Sequence, residues 1–275
     1  GPTVYRYAHI GNLRTYLLTD LLVRTLRFLG YGTFAVQNIT DMGHMHQEQL
    51  EAGEDKVVAA ARAAGKSAGE IARFFTGAFF RDGARMAFLP ADVYPRASEH
   101  VPEMIALVRA LEERGAVYGE GGYLYFDVTK APGYGIFSGA GLGEGEAAER
   151  TDEAIHRHKK RPEDFTLWLP AEPGREFRWE SRWGAGWPGW HIECAAMAIR
   201  YLGPEFDLHV GGIDLRFPHH ENSRAVVMTA TGKKFAALWL HAAHLLVDGR
   251  KMSKSAGNEY TLDDLGAGPR PGGPR

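Results

Sequence analysis

The sequence predicts an α/β protein built on a parallel sheet, and observations near the start of the chain support this fold class. Residues 12–29 carry apolar side chains at helical spacing and end at Gly30, a residue common just after a helix. The next ten residues, YGTFAVQNIT, are rich in β-branched and aromatic side chains and predict a strand that ends near Thr40. Loop, helix and strand in this order are typical of a parallel α/β unit.

Further elements follow, and the pattern changes at about residue 116. We expect mostly helix over the alanine-rich residues 45–89 and a second helix over 98–115, which Ser98 caps and Gly115 ends. Residues 116–128 alternate and turn at Gly121–Gly122, which predicts a hairpin. The rest predicts a strand at 206–215, a helix at 222–235, and a strand followed by a polar loop at 239–258.

These patterns divide the chain into four parts. Residues 1–115 and 181–250 are predicted to form two halves of one α/β domain, interrupted by an insertion at 116–180 that is rich in glycine, proline and charge. Residues 251–275 contain a polar loop and a Gly/Pro-rich tail that we expect to be disordered. The 275 residues suit one large domain carrying such an insertion.

Composition limits the partners and the setting. The formal net charge of -2 gives no overall attraction to nucleic acid, so an RNA would bind at a local patch such as HRHKKR, residues 156–161. The single cysteine, Cys194, excludes an intramolecular disulfide and favours a reducing, cytoplasmic setting. No apolar run approaches the ~18 residues of a membrane span, so we expect no membrane partner.

Two segments at opposite ends of the chain carry residues suited to phosphate. His9, Ile10, Gly11 and Asn12 lead directly into the first helix, whose N-terminal N–H groups attract anions. Gly11 allows close approach of a nucleotide, and His9 and Asn12 offer donors. The sequence KMSKS, residues 251–255, supplies two lysines that can neutralise a triphosphate. Taken alone, HIGN is more often a helix cap or surface segment, and KMSKS is more often a solvated loop.

Taken together, HIGN near the front and KMSKS near the end resemble the paired signature of class I aminoacyl-tRNA synthetases. Further blocks resemble the cysteinyl-tRNA synthetase family, in its order, from Gly1 to about Leu265: GPTVYRYAHIGNLRTYLLTDLL, VQNITD, KKRPEDFTLW, PGWHIECAAM, GGIDLRFPHHEN and LLVDGRKMSKSAGN. The resemblance implies a Rossmann-like parallel sheet with helices on both sides and a connective insertion. ATP would bind at the carboxyl ends of its strands.

The activity that the resemblance implies is ATP-dependent activation of L-cysteine to cysteinyl-adenylate, followed by transfer to the acceptor end of tRNA(Cys). Mg²⁺ would accompany ATP, and the protein would be a monomer. The residues implied for catalysis are His9, Asn12, Lys251 and Lys254. Those implied for ATP binding are His9, Gly11, Asn12, Gly212, Asp214 and Lys254, and those implied for the cysteine pocket are Thr40 and Trp190. The Gly212–Asp214 pattern is also typical of an ordinary turn.

The resemblance further implies a zinc ion that binds the substrate thiolate. Cys194 and His219 match two of its four ligands. A third, a cysteine, would lie one residue before Gly1, where the chain looks truncated, and the fourth position is Ser223, where the family usually has glutamate. Glu221 is an alternative donor, and a buried structural role is the alternative for Cys194. Zinc would separate cysteine from serine better than an apolar pocket, which resolves one group by only ~1–3 kcal/mol.

Two other functions remain open from the sequence. One is a ligase that passes activated cysteine to a small amine, as in mycothiol assembly. It would explain why no helical anticodon-reading domain follows KMSKS. The other is a non-catalytic remnant that binds a nucleotide or a protein partner, which the incomplete set of zinc ligands favours.

Overall fold

The computed structural model describes residues 1–42, 45–47, 52–137, 139, 158–252 and 257–266. The helices are α1 (Ile10–Phe28), α2 (Lys56–Ala64), α3 (Ala68–Arg85), α4 (Val101–Glu113), α5 (Trp190–Leu202), α6 (Glu221–Thr231) and α7 (Leu262–Gly266). The strands are β1 (Met45–Gln47), β2 (Ala52–Asp55), β3 (Val117–Glu120), β4 (Tyr123–Phe126), β5 (Phe165–Pro170), β6 (Gly186–Pro188), β7 (Glu205–Gly212), β8 (Phe235–Ala242), β9 (Leu246–Val247) and β10 (Arg250–Lys251).

Parallel pairing, which the α/β prediction requires, occurs in two places. β7 and β8 pair in parallel from Glu205 opposite Phe235 to Gly212 opposite Ala242, with α6 between them in the chain. Near the front, Ile39 pairs in parallel with Arg96, and Thr40 pairs in parallel with Thr3. The strand predicted to end near Thr40 is therefore confirmed as extended backbone in parallel register.

A second, antiparallel sheet contains β3, β4, β5 and β6 in that order. β3 and β4 form the predicted hairpin, in which Glu120 faces Tyr123 across Gly121 and Gly122. Both glycines have positive φ, 62° and 85°, a conformation that other residues rarely adopt. The sheet reaches Pro188, eight residues past the predicted end of the insertion at 180, and the four-part division of the chain stays a prediction.

Two hydrophobic cores support these sheets. The larger lies among α4, α5, α6 and β5, and its fully buried side chains include Met104, Leu111, Trp168, Ile192 and Val226. The smaller core packs α1 against α2 and α3 through Leu13, Val57, Ile71 and Phe79. Each such side chain contributes about 1.5–3 kcal/mol when removed from water. Within the described part of the chain, no helix combines the length and apolar character needed to cross a membrane.

One local prediction was confirmed and another was wrong. Mostly helix was expected over 45–89, and α2 and α3 occupy most of the described residues there, with β1 and β2 before Lys56. Ser98 was expected to cap a helix, but its N–H and hydroxyl donate to Asp41 at 2.9 and 2.7 Å. α4 instead begins at Val101 with a proline in its first turn, where the missing N–H costs nothing. The tail predicted to be disordered lies outside the described residues from 267 onward.

Glu176, in the predicted insertion, caps the distant helix α3. Its carboxylate oxygens accept hydrogen bonds from Ala68 N at 2.8 Å and Gly69 N at 3.2 Å. Glu176→Ala leaves these N–H groups of the first turn without their acceptor, so we expect the free energy of unfolding to fall by about 1 kcal/mol. Urea denaturation measures this loss. Glu180→Ala, a control on the same segment, should change it much less, and equal effects of the two substitutions would contradict the capping role.

Candidate active site

His9 and Asn12 form a reciprocal cap at the start of α1. His9 Nδ1 accepts a hydrogen bond from Asn12 N at 3.2 Å, and Asn12 Oδ1 accepts one from His9 N at 3.3 Å. Because Nδ1 accepts, the proton of the neutral imidazole lies on Nε2. Burial lowers the pKa of His9, although the Glu259 carboxylate opposes this shift. His9 therefore presents a neutral N–H donor at the helix N-terminus, where anions are favoured.

The KMSKS end of the chain packs directly on this helix start. Met252 is buried, and a Cβ on Gly11 would lie only 2.7 Å from its Cε atom. Ile10 N donates to Tyr260 O at 2.8 Å. One of the helix N–H groups that were predicted to be available to phosphate is therefore bonded within the chain. The two predicted phosphate segments are therefore in contact. Lys254 and the other residues of 253–256 lie outside the described part.

Asp214 and Lys251 meet at the carboxyl end of β7. Lys251 Nζ is 4.0 Å from Asp214 Oδ2, and a Cβ on Gly212 would overlap the Asp214 carboxylate. Asp214 raises and Lys251 lowers the pKa of His9, after the stronger effect of burial, so both charges lie within electrostatic reach of the helix start. The structure thus brings together the described residues predicted to bind ATP.

Trp190 and Cys194 lie in the first half of α5, and His219 contacts the start of that helix through Trp190. The Trp190 ring stacks on His219 with centroids 4.3 Å apart, and Cys194 lies one turn further along the same helix face. Burial raises the pKa of the Cys194 thiol to about 11. Thr40, also predicted to line the cysteine pocket, is buried and accepts a hydrogen bond from Asn38 Nδ2 at 3.0 Å.

Cys194 and His219 offer the donor types that zinc prefers, thiolate and imidazole. His219 Nδ1 is 3.3 Å from His191 Nδ1. With the proton on His219 Nδ1 and donated to His191, Nε2 of His219 carries a lone pair that can bind a cation. A hydrogen-bond partner of this kind, on the far side of the ring, is typical of metal-bound histidines. The chemistry of these two side chains therefore fits zinc.

The other candidate ligands are engaged elsewhere. Ser223 Oγ donates to the carbonyl of His191 at 3.2 Å, and Glu221 accepts a hydrogen bond from Phe137 N at 2.6 Å. Arg224 also approaches Glu221, at 3.4 Å. Over the described ranges, no three His, Cys, Asp or Glu side chains form a group that could hold a metal. If zinc binds here, Cys194 and His219 would supply two donors of the four that it usually takes.

A cluster of three imidazoles, the buried His220 and the half-buried His209 and His241, lies next to His219 and was not predicted. His220 Nδ1 lies 2.9 Å from His241 Nε2, and the rings of His209 and His220 are 4.5 Å apart. Burial lowers the pKa of all three, that of His209 to about 3. The cluster forms because Gly211 stands opposite His241 in the parallel pair and leaves room for the His220 ring.

A parallel α/β sheet whose strand ends meet an HIGN helix start and a KMSKS segment defines the catalytic fold of a class I aminoacyl-tRNA synthetase. Two solved structures share this fold. Methionyl-tRNA synthetase of Mycobacterium tuberculosis in complex with methionyl-adenylate matches with a TM-score of 0.66 at 18% identity, over 96% of this chain and 60% of that one. An arginyl-tRNA synthetase, described as putative, from Campylobacter jejuni gives 0.56 at 15% identity, over 96% and 57%. The Rossmann-like fold class is thereby confirmed.

Residues 1–267 match the family of class I (C) tRNA synthetase catalytic domains, and the chain belongs to this family. It is similar to the cysteine–tRNA ligases of Treponema denticola, with 46% identity over 267 residues, and of Thermus thermophilus, with 45% over 265 residues. Each alignment covers 96% of this chain and 54% of the relative. The chain thus spans about half the length of the curated relatives it matches.

Gly211 should tolerate no side chain while His220 is in place. A Cβ there would lie 2.5 Å from His220 Cε1, and His209 and Trp239 lie against the same ring. We expect Gly211→Ala to cost about 1–3 kcal/mol of folding free energy, as overpacking does. Chemical denaturation of a double-mutant cycle tests this: in a His220→Ala background the same substitution should cost clearly less. An equal loss of folding free energy in both backgrounds would show that a clash with the backbone, and not with the His220 imidazole, causes the loss.

Proposed function

We propose that the chain catalyses ATP-dependent activation of L-cysteine and transfer of the cysteinyl group to the acceptor end of tRNA(Cys). The observation that carries this proposal is that His9, Asp214 and Lys251 lie within electrostatic reach of one another at the end of β7, while His219, a few residues after Asp214, stacks on Trp190. Donors for a nucleotide and a candidate site for sulfur lie along one strand, β7, and the segment that follows it. The family and the names of its relatives support the same activity.

In the proposed reaction, a carboxylate oxygen of cysteine attacks the α-phosphorus of ATP. The bond from this phosphorus to the oxygen that bridges to the β-phosphorus breaks, and pyrophosphate leaves as cysteinyl-adenylate forms. His9 Nε2–H and the Asn12 amide would donate to the phosphates, and Asp214 would accept from the ribose hydroxyls. Lys251, Lys254 and Mg²⁺ would balance the pyrophosphate charge. Catalysis rests on positioning and charge, and no side chain needs to act as a nucleophile.

Selection of cysteine over serine would rest on a metal. Cys194 and His219 are the side chains that would hold zinc, and a bound zinc would supply direct coordination of the substrate thiolate, which a hydroxyl matches poorly. Trp190 and Thr40 would border the same pocket. The stack of Trp190 on His219 holds the imidazole from one side, and the contact with His191 holds it from another.

Cysteine-dependent exchange of pyrophosphate into ATP tests the proposal. We expect exchange with cysteine and at least ~1,000-fold less with serine, beyond the roughly 10–200-fold that a shape-based pocket can separate. Cysteinylation of tRNA(Cys), measured against a small amino-sugar acceptor, then identifies the acceptor. Binding of ATP without any exchange would defeat the proposed activity and leave a nucleotide-binding module.

Metal content tests the two proposed ligands separately from activity. Cys194→Ser and His219→Gln should each lower the zinc retained after dialysis by 10-fold or more, since each removes one of few donors. Elemental analysis of the purified chain gives the result. Asp207→Asn, on an exposed position of β7, is the matched control and should retain zinc. Equal zinc in all the variants would place the metal elsewhere.

A further inference from the structure

Arg6 and Glu259, 253 residues apart in the chain, form an ion pair beside the predicted phosphate site. Arg6 Nη1 lies 2.9 Å from both oxygens of the Glu259 carboxylate. His9 Nε2 lies 3.9 Å from one of the same oxygens. Glu259 therefore stands between a guanidinium and the imidazole donor that is proposed to meet ATP, and its side chain is only 21% exposed.

The backbone fixes this carboxylate in place. Asn258 donates from its side chain to Lys251 O at 3.2 Å, and Tyr260 accepts from Ile10 N at 2.8 Å. Thr261 pairs with His9 in an antiparallel bridge. These contacts hold the backbone at Glu259 beside the start of α1, and the direction of its side chain depends on Arg6 and His9.

A carboxylate in this position works against ATP unless its charge is neutralised. At about 8 Å and an effective dielectric of ~20, repulsion between two like unit charges is large enough to weaken binding by tenfold or more. The charged groups that act on His9 are Glu259, Arg6, Asp214 and Lys251, and their effects on its pKa alternate in sign. Arg6 is the group in direct contact with Glu259, so it determines how strongly the Glu259 charge would repel the phosphates of ATP.

We propose that Arg6 is a positioning residue for ATP: it holds the Glu259 carboxylate on its guanidinium and keeps that negative charge from the nucleotide phosphates at His9. The proposal rests on the proposed function only in taking ATP as the ligand. The proposal predicts that substitutions of the two residues affect ATP binding differently. Loss of Arg6 exposes a negative charge that weakens ATP binding, whereas loss of the Glu259 charge removes that repulsion.

The test is the equilibrium dissociation constant for Mg²⁺–ATP, measured by calorimetry on the wild type and on three variants. Arg6→Gln should raise the constant about tenfold, in line with the repulsion above. Glu259→Gln should leave it unchanged or lower it. The double variant, which carries neither charge, should bind ATP within about threefold of the wild type, a change of less than 1 kcal/mol.

Two alternatives give different patterns. If Arg6 itself binds phosphate, the double variant stays as weak as Arg6→Gln. If the pair only holds the fold together, both single variants weaken binding alike and the double variant is no better. Either pattern would overturn the proposal. Arg85→Gln is the matched control: it breaks the 2.5 Å ion pair with Asp263 on α7, near the same segment, and should not change ATP affinity.

A second measurement does not depend on catalysis. In the NMR titration of His9, with its resonance assigned from the spectrum of His9→Gln, Arg6→Gln should raise the pKa of His9 and Glu259→Gln should lower it. Unchanged titration in both variants would contradict the proposal. Pyrophosphate exchange, measured in parallel, judges the proposed function: wild type that binds ATP but gives no exchange defeats that function, while the pattern of dissociation constants still decides the role of Arg6.

Discussion

The contact of the start of α1 with Met252 and with Tyr260 is the constraint on which the candidate site depends. Met252 packs on Gly11, and Ile10 N donates to Tyr260 O. These groups lie near opposite ends of the described chain, so closing the contact costs conformational entropy that the rest of the fold must offset. The helix N-terminus can serve as an anion site because the return of the chain completes one side of it.

β7 connects the residues predicted to bind ATP with those predicted to bind zinc. Its last two residues, Gly211 and Gly212, have no side chains, and this allows two neighbours to approach the backbone closely. His220 packs over Gly211 toward the imidazole cluster, while the Asp214 carboxylate turns back over Gly212 toward Lys251. A larger residue at Gly211 would displace the His220 ring, and a larger residue at Gly212 would displace the Asp214 carboxylate.

Features that depend on near neighbours in the chain could be predicted from the sequence. The start of α1 and the glycine turn at 121–122 are of this kind, and both were confirmed. The imidazole cluster could not be predicted, because it depends on the register that places Gly211 opposite His241. Ser98 was misassigned for a similar reason: its partner, Asp41, is 57 residues away. The roles of the predicted site residues stay predictions.

The charges around His9 nearly cancel, so the orientation of hydrogen-bond donors, more than net charge, would have to attract a nucleotide here. Of the four charged groups that act on this imidazole, Arg6 and Lys251 are positive, and Glu259 and Asp214 are negative. Each cation lies near one of the carboxylates, so the described residues around His9 present little surplus positive charge to a triphosphate. Binding of ATP, as proposed, would then depend on oriented donors, namely the helix N-terminus and the Nε2–H group, together with the Mg²⁺ that would accompany it.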